Sequence, residues 1–185
     1  MLDFWSLRVH NYSMKLKKAI EFATKAHEGQ VRKYTGEPYI VHPLEVAEIV
    51  KTVEHTEEML MAAVLHDTVE DTDTTIQDID REFGPVVAQL VEELTDVSKP
   101  EDGNRAFRKG LDREHSAQAS AQGQTIKVAD LISNTASITE HDPDFAKVYM
   151  KEKALLLQVF DKADKNLLKK AQKKVDNWFS RVNNV

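Results

Sequence analysis

The 185-residue chain contains no cysteine, which excludes disulfide bonds and thiolate metal sites. Any metal ion must therefore be bound by His, Asp or Glu side chains. Long apolar runs are absent too: the longest, residues 59–65, has seven residues, whereas a membrane-spanning helix needs about 20. Residues 1–14 lack the charged-then-apolar order of a signal peptide. We therefore expect a cytoplasmic protein that does not insert into a membrane.

Positive charge is in deficit, since 25 lysine and arginine residues face 31 aspartate and glutamate residues, for a formal net charge of −6. This balance argues against broad nucleic-acid binding, which needs a basic face that displaces counterions from phosphates. It would also repel an anionic nucleotide at long range. A polyphosphate ligand would therefore need a bound cation and a local cluster of lysine or arginine side chains.

Glycine and proline are also scarce, with six and five residues, and no segment alternates convincingly between apolar and polar residues. The apolar residues repeat with the helical period instead, which predicts an all-α, single-domain protein over residues 1–185. Its core is expected near residues 13–160, followed by a C-terminal helix near 165–180. Helices are predicted to start at Ser13, Pro43 and Thr56 and to cover residues 75–83, 85–97, 104–121, 124–138, 144–160 and 165–180, with loops at 30–41 and 98–103.

The segment 65–71, Leu-His-Asp-Thr-Val-Glu-Asp, places an imidazole and three carboxylates at the end of an apolar helix. Acidic groups at a helix C-terminus are unfavourable by about 0.3–1 kcal/mol each, so a neutralising cation would explain the cluster. The i, i+4 spacing of Asp67 with Asp71, and of His66 with Glu70, would let both pairs line one cavity. A solvated helix end is the alternative interpretation.

A second polar group follows the predicted helix 124–138. Lys127, Asp130, Asn134 and Ser137 form a line between two stripes of apolar or small residues. A polar line between two covered faces is typical of the wall of a wet cavity, and Asp130 could complete a metal site there. The alternative is a surface ion pair between Lys127 and Asp130, which would contribute little stability.

His42 stands directly before Pro43, so its backbone is predicted to be extended. A lone histidine of this kind is more often a core or capping residue, so its case depends on His66, Asp67 and Asp130. Together the four side chains offer two nitrogen and two oxygen ligands, a set that suits Mn²⁺, Fe²⁺ or Zn²⁺. Four protein ligands leave room on a six-coordinate ion for water and a phosphate oxygen, and coordination would lower the pKa of that water.

Four motifs carry a resemblance to a known family. They are Ala-His-Glu-Gly-Gln-Val-Arg-Lys at 26–33, Gly-Glu-Pro-Tyr-Ile-Val-His-Pro at 36–43, Leu-His-Asp-Thr-Val-Glu-Asp-Thr at 65–72, and Lys-Val-Ala-Asp at 127–130 with Asn134 after it. In this order the motifs resemble the hydrolase domain of RelA/SpoT proteins, within the HD superfamily of phosphohydrolases. The likeness spans residues 16–160, which leaves no room for a synthetase domain. We therefore expect a free-standing small alarmone hydrolase.

This resemblance implies that the protein removes the 3′-pyrophosphate from the guanine nucleotides ppGpp or pppGpp, with Mn²⁺ as the metal. It also implies that the metal is bound by four side chains, those of His42, His66, Asp67 and Asp130. Glu70 and Asp71 match the acidic pair that orients or deprotonates the attacking water, and their crowding would raise their pKa values.

The resemblance also assigns residues to the nucleotide. Arg32 and Lys33 match a basic pair beside the guanine ring, and either of them could stack on the base. Asn134 matches a nucleotide contact, and Ser137 lies where a relative contacts the nucleotide with a hydroxyl group.

Other basic residues are harder to assign from the sequence. Arg105, Arg108 and Lys109 form another positive cluster, which could guide the pyrophosphate or form a solvated face, and we expect the solvated face. The helix on which relatives place basic or aromatic phosphate contacts carries Tyr149, Lys151 and Lys153.

Two other functions stay open at this point. One is phosphohydrolysis of another nucleotide, such as removal of the 2′-phosphate of NADPH, because a fold does not determine its substrate. The other is non-catalytic nucleotide binding, although a binding module would not need the acidic pair Glu70 and Asp71.

Overall fold

The computed structural model describes residues 12–182. In this range the regular elements are helices, with one isolated antiparallel bridge between Val31 and Pro38. This confirms the predicted all-α class. The helices are α1 (Met14–Ala26), α2 (Val41–Val50), α3 (Glu57–Leu65), α4 (Thr68–Asp71), α5 (Ile76–Phe83), α6 (Pro85–Leu94), a 3-10 turn (Pro100–Asp102), α7 (Arg105–Gln118), α8 (Ala121–His141), α9 (Pro143–Leu157) and α10 (Lys165–Val182).

Hydroxyl side chains define several helix starts. Ser13 accepts a hydrogen bond from the backbone N–H of Leu16, and Thr56 caps α3 in the same way. Thr75 forms a reciprocal capping box with Asp78 at the start of α5. Such caps satisfy backbone N–H groups that have no partner inside the helix. Ser13 and Thr56 are the helix starts predicted from the sequence.

Helix α3 is the centre of the packing. All seven residues of its apolar run, 59–65, are buried, and the helix packs against α1, α2, α6 and α8. Helix α8 is covered similarly, by α2, α3, α6, α9 and α10. The residues that follow α3 and those on the middle of α8 are therefore attached to the most rigid part of the core.

The C-terminal helix α10 belongs to the same packed body. Leu167, Ala171 and Val175 are buried where α10 meets α8 and α9. None of the helices between residues 12 and 182 is both long and apolar enough to cross a membrane.

The predicted extended backbone at His42 is wrong. Helix α2 begins at Val41, so His42 lies in its first turn and Pro43 follows as the third helical residue. Proline is tolerated there because first-turn N–H groups have no partner within the helix. The backbone N–H groups of Val41 and His42 donate instead to the carbonyl oxygens of Pro38 and Tyr39, at 3.1 and 3.0 Å. These hydrogen bonds form a turn, and their stabilisation outweighs the usual preference of a residue before proline for an extended backbone.

The expected acidic helix end is also wrong. Helix α3 ends at Leu65, the chain turns at His66 and Asp67, and Glu70 and Asp71 lie on the separate short helix α4. The acidic pair is therefore not at the unfavourable end of the α3 dipole. The turn between the two helices directs His66, Asp67 and the acidic pair toward the same side of the core.

We predict that Ile79→Ala lowers the free energy of unfolding by about 2–5 kcal/mol, because its side chain is fully buried and truncation leaves a cavity. Val86 on the next helix is 54% exposed, and Val86→Ala should change stability by less than about 0.5 kcal/mol. Urea unfolding of both variants in metal-free buffer measures the difference. Equal effects of the two substitutions would contradict the described packing.

Candidate functional site

The four predicted ligands converge from three parts of the chain. His42 comes from α2, His66 and Asp67 from the turn after α3, and Asp130 from the middle of α8. His42 Nε2 lies 3.1 Å from Asp130 Oδ1 and 3.7 Å from Asp67 Oδ2. His66 Nε2 lies 3.1 Å from Asp67 Oδ2 and 3.7 Å from Asp130 Oδ1. The two imidazoles and two carboxylates therefore surround one point.

The orientation of the histidines fits a bound cation. His66 donates from Nδ1 to the carbonyl oxygen of Ala63 at 2.8 Å, which leaves a lone pair on Nε2. That Nε2 atom is buried and has no hydrogen-bond partner within residues 12–182. His42 likewise contacts Ser133 Oγ through Nδ1, at 3.1 Å, and directs Nε2 into the cluster. Metal-binding histidines are held in this way, with one ring nitrogen on a protein group and the other on the ion. The donor set thus fits a divalent metal.

The acidic pair lies beside this cluster. Glu70 Oε2 accepts a hydrogen bond from the backbone N–H of Asp96 at 3.2 Å. Burial, with the negative charge of Asp96 as the next cause, raises the pKa of Glu70 to about 7. Burial and the charge of Asp67 raise the pKa of Asp71. The expected upward direction is therefore confirmed, although burial and other carboxylates are the larger causes rather than the mutual crowding of Glu70 and Asp71.

A tyrosine connects the two groups. The Tyr39 hydroxyl lies 2.6 Å from Asp67 Oδ2, to which it donates, and 3.3 Å from Asp71 Oδ2. Burial, reinforced by the charge of Asp67, raises the pKa of Tyr39, so the phenol keeps its proton. Tyr39 therefore fixes a predicted metal ligand relative to one member of the acidic pair.

The cluster and the acidic pair open into a polar cavity of about 320 Å³. Lys127, Asp130 and Asn134 line it, as the polar line on α8 predicts, and so does the acidic pair. Its basic wall within the described residues consists of Arg105, Lys109, Arg113, Lys127 and Lys153. The local clustering of cations expected for a polyphosphate site on an acidic protein is therefore present.

Two residues expected on a solvated face belong to this wall. Arg105 pairs with Glu152, with 2.7 Å between Nε and Oε1, and Lys109 pairs with Asp96, with 2.6 Å between Nζ and Oδ2. The expected solvated face is wrong for both, because side chains of α7 line the cavity, which local periodicity does not reveal. Arg108, the third residue of that group, is not among the lining residues.

On α9, two of the three residues noted from the sequence reach the cavity. Tyr149 and Lys153 line it, whereas Lys151 is exposed. The Lys153 ammonium lies 4.5 Å from the centre of the Tyr149 ring. Burial lowers the pKa of Lys153 to about 8. The approach of an anion would stabilise the charged form of this buried ammonium group.

Comparison with known proteins identifies the family. Residues 19–146 match the sequence model of the HD domain. The chain belongs to the HD domain family. Proteins of this family bind a divalent metal, and the His42, His66 and Asp67 ligand atoms, all within 4.8 Å of one another, agree with that property.

Relatives narrow the family to the MESH1 and SpoT type. Guanosine-3′,5′-bis(diphosphate) 3′-pyrophosphohydrolase MESH1 of Drosophila melanogaster is 37% identical over 134 residues, 71% of this chain and 73% of that protein. Human MESH1 is 38% identical over 133 residues, 70% of this chain and 73% of that protein. A solved structure of a metazoan ortholog of SpoT that hydrolyses ppGpp superposes with a TM-score of 0.80 at 30% identity, covering 90% of this chain and 96% of that one.

Longer bacterial proteins match over a shorter segment. The guanosine-3′,5′-bis(diphosphate) 3′-pyrophosphohydrolase of Aquifex aeolicus is 48% identical over 88 residues. The match covers 48% of this chain but only 12% of that protein.

Of the four residues that the sequence resemblance assigns to the nucleotide, only Asn134 lines the cavity of the HD domain site. Asn134 lines the cavity and donates from Nδ2 to Asp130 Oδ1 at 2.7 Å. Ser137 is one turn further along α8, outside the lining residues. Arg32 and Lys33 also lie outside the lining. The Arg32 side chain is 11% exposed and pairs with Glu45, whereas the Lys33 side chain is 73% exposed.

Some residues of the site carry no assignment from sequence reasoning. Tyr39 belongs to one of the quoted motifs, but its contact with Asp67 and Asp71 depends on the turn before α2. Asp96 follows α6 in a loop with no recognisable pattern. It accepts from Lys109 and lies 3.4 Å from the Lys127 ammonium, so it organises two cations of the cavity wall.

We predict that Asp130→Asn and His66→Ala each weaken the binding of Mn²⁺ or Zn²⁺, because each variant removes a proposed ligand. Loss of a residue that only supports a ligand typically lowers metal affinity by about 10–100-fold, so we expect larger losses here. Isothermal titration calorimetry of the metal-free proteins measures the affinities. Asp80→Asn, at an exposed position on α5, is the matched control and should bind metal as the wild type does. Wild-type affinity in both ligand variants would contradict the proposed metal site.

Proposed function

We propose that the protein hydrolyses the 3′-pyrophosphate of ppGpp and pppGpp, with water as the second substrate, releasing pyrophosphate and GDP or GTP. One observation carries this proposal: the metal-type cluster and the acidic pair open together into a cavity with a basic wall. The MESH1 relatives, which bear the name of this activity, align with more than two thirds of the chain. We propose Mn²⁺ as the metal, with Fe²⁺ and Zn²⁺ also suited to the donor set.

The metal would be held by His42, His66, Asp67 and Asp130. A divalent ion in such a site supplies Lewis-acid activation of water and of a phosphate oxygen. The protein itself orients the groups that would bind the ion. Ala63 and Ser133 hold the Nδ1 atoms of the two histidine rings, and Tyr39 holds the carboxylate of Asp67.

Glu70 is the proposed general base. Its carboxylate is held by the backbone N–H of Asp96, and its pKa of about 7 suits proton transfer near neutral pH. It would take the proton from the water that attacks the 3′-linked phosphorus. As the bond from that phosphorus to the ribose oxygen breaks, that oxygen would take a proton from solvent and leave as the 3′-hydroxyl group. Asp71, with Oδ2 3.3 Å from the Tyr39 hydroxyl, would orient the same water.

The basic wall would receive the pyrophosphate. Arg105, Lys109 and Lys127 are already paired with carboxylates. Within the described residues, Arg113 and Lys153 make no ion pair, and we propose them as the first cations to meet the phosphates. Positive groups at this position would stabilise the negative charge on the oxygens of the transferred pyrophosphate group.

The guanine base would lie on the side of Asn134. Ser137 remains the proposed hydroxyl contact, and Arg32 and Lys33 remain the proposed pair beside the ring. Lys33 is the better placed of the two for direct contact, because its side chain is exposed and that of Arg32 is covered.

We expect purified protein with Mn²⁺ to release pyrophosphate from ppGpp and pppGpp, and chelation with EDTA to abolish the reaction. The assay runs ppGpp, pppGpp, NADPH and deoxynucleoside triphosphates in parallel with Mn²⁺, Fe²⁺, Zn²⁺ and Mg²⁺. An Asp67→Asn variant serves as the control for contaminating hydrolases. Rapid turnover of NADPH or a deoxynucleotide without turnover of ppGpp would refute the proposed substrate, and turnover of none of them would support non-catalytic binding.

We predict that Glu70→Gln lowers kcat by a factor of about 10²–10⁴, the usual contribution of a general base, and leaves metal affinity within a few-fold of wild type. Steady-state kinetics on ppGpp and calorimetry with Mn²⁺ measure the two quantities. Glu92→Gln, on the exposed side of α6, is the matched control. Full activity of Glu70→Gln would remove Glu70 from the mechanism, and simultaneous loss of metal would make it a ligand rather than a base.

A further inference from the structure

A chain of polar contacts extends behind His42, on the side away from the metal cluster. His42 Nδ1 lies 3.1 Å from Ser133 Oγ. Ser133 Oγ lies 3.0 Å from Glu45 Oε2, and Arg32 Nη1 lies 2.9 Å from the same carboxylate oxygen. The contacts join the loop after α1, helix α2 and helix α8.

The chemistry of these groups determines which of them donates. A guanidinium group can only donate and a carboxylate can only accept, so Arg32 and the Ser133 hydroxyl both donate to Glu45. The Ser133 oxygen then has only lone pairs left, and it accepts the Nδ1–H of His42. This arrangement keeps the lone pair of His42 on Nε2, the atom directed at Asp67 and Asp130.

The chain is buried where it meets the metal ligand. His42 is 4% exposed and Ser133 7% exposed. Without an acceptor at Ser133, the Nδ1–H of His42 would be buried without a partner, and the ring would be free to turn or change tautomer. Glu45 in turn fixes the Ser133 hydroxyl, and Arg32 neutralises Glu45.

Glu45 and Ser133 do not face the nucleotide cavity. Both line a separate groove between α2, α8 and α10, which shares no lining residue with the polar cavity. A substitution at either position therefore leaves the walls of the nucleotide cavity intact. Arg32, with its guanidinium on Glu45, would have to leave this pair before it could stack on a base.

We propose that Ser133 and Glu45 are positioning residues that hold His42 as a metal ligand, and that Arg32 acts on the metal site through Glu45. The inference rests on the proposed function only in taking the four-residue cluster to bind a divalent ion.

The first test measures Mn²⁺ affinity without nucleotide. We expect Ser133→Ala to weaken binding by about 10–100-fold, as is typical when a supporting partner of a metal-bound histidine is lost. Glu45→Gln and Arg32→Gln should weaken it in the same direction by smaller factors. Glu48→Gln, which lines the same groove from the same helix, is the matched control and should bind Mn²⁺ as the wild type does.

Thermal unfolding of the metal-free proteins distinguishes a positioning role from a purely structural one. Loss of one buried hydrogen bond should lower Tm by about 2–4 °C in a protein of this size. A lower Tm with unchanged Mn²⁺ affinity in Ser133→Ala would overturn the proposal. Glu45→Gln, at a side chain that is 43% exposed, provides the same comparison if Ser133→Ala does not fold.

A double variant tests whether the residues act in series. The double variant Arg32→Gln/Glu45→Gln should have about the same Mn²⁺ affinity as whichever single variant binds Mn²⁺ less tightly, because Arg32 acts only through Glu45. Additive losses, or an Arg32→Gln variant with wild-type Mn²⁺ affinity and a raised KM for ppGpp, would overturn the assignment of Arg32. Failure of the wild type to hydrolyse ppGpp would refute the proposed substrate alone, since these comparisons measure metal binding directly.

Discussion

The structure depends on the burial of two carboxylates next to two imidazoles at the end of an apolar helix. Isolated carboxylates at this depth would be strongly destabilising. Burial alone would raise the pKa of Asp130, but the adjacent imidazoles of His42 and His66 outweigh burial and lower that pKa well below its usual range. With both histidines neutral, the charge of a divalent cation would neutralise the negative charges of the two carboxylates. The charge of the cluster therefore suits a divalent metal ion.

The scaffold explains how four side chains from distant positions can be held so closely. Helix α3 is apolar on all sides and cannot shift without exposing its neighbours, and α8 packs against five other helices. The proposed ligands lie on α8, in the turn directly after α3 and in the first turn of α2. Polar partners behind the ligands then fix the rings, so rigidity comes from packing and orientation from hydrogen bonds.

Local features of the structure could be predicted from the sequence. Ser13 and Thr56 are correct as helix caps because capping depends on adjacent residues. The four ligands could be grouped because they lie in short motifs with a family resemblance. The backbone at His42 was mispredicted because hydrogen bonds to the turn before it outweigh a local preference.

Long-range contacts could not be predicted in the same way. Arg105 and Lys109 belong to the cavity only because of how α7 packs. The contact of Ser133 with His42 joins positions 91 residues apart, and no periodicity indicates such a pair. Sequence patterns therefore indicated the candidate reactive groups, whereas the supporting contacts became visible only in three dimensions.

The ion pairs of the cavity wall have a consequence for the departure of product. Lys109 rests between Asp96 and Asp112, and Lys127 also lies against Asp96. In the proposed reaction an arriving phosphate would compete with these carboxylates, which would limit how tightly the highly charged pyrophosphate is retained. When that anion leaves, each lysine would regain its own carboxylate partner, so that release of the product would leave no unbalanced positive charge inside the protein.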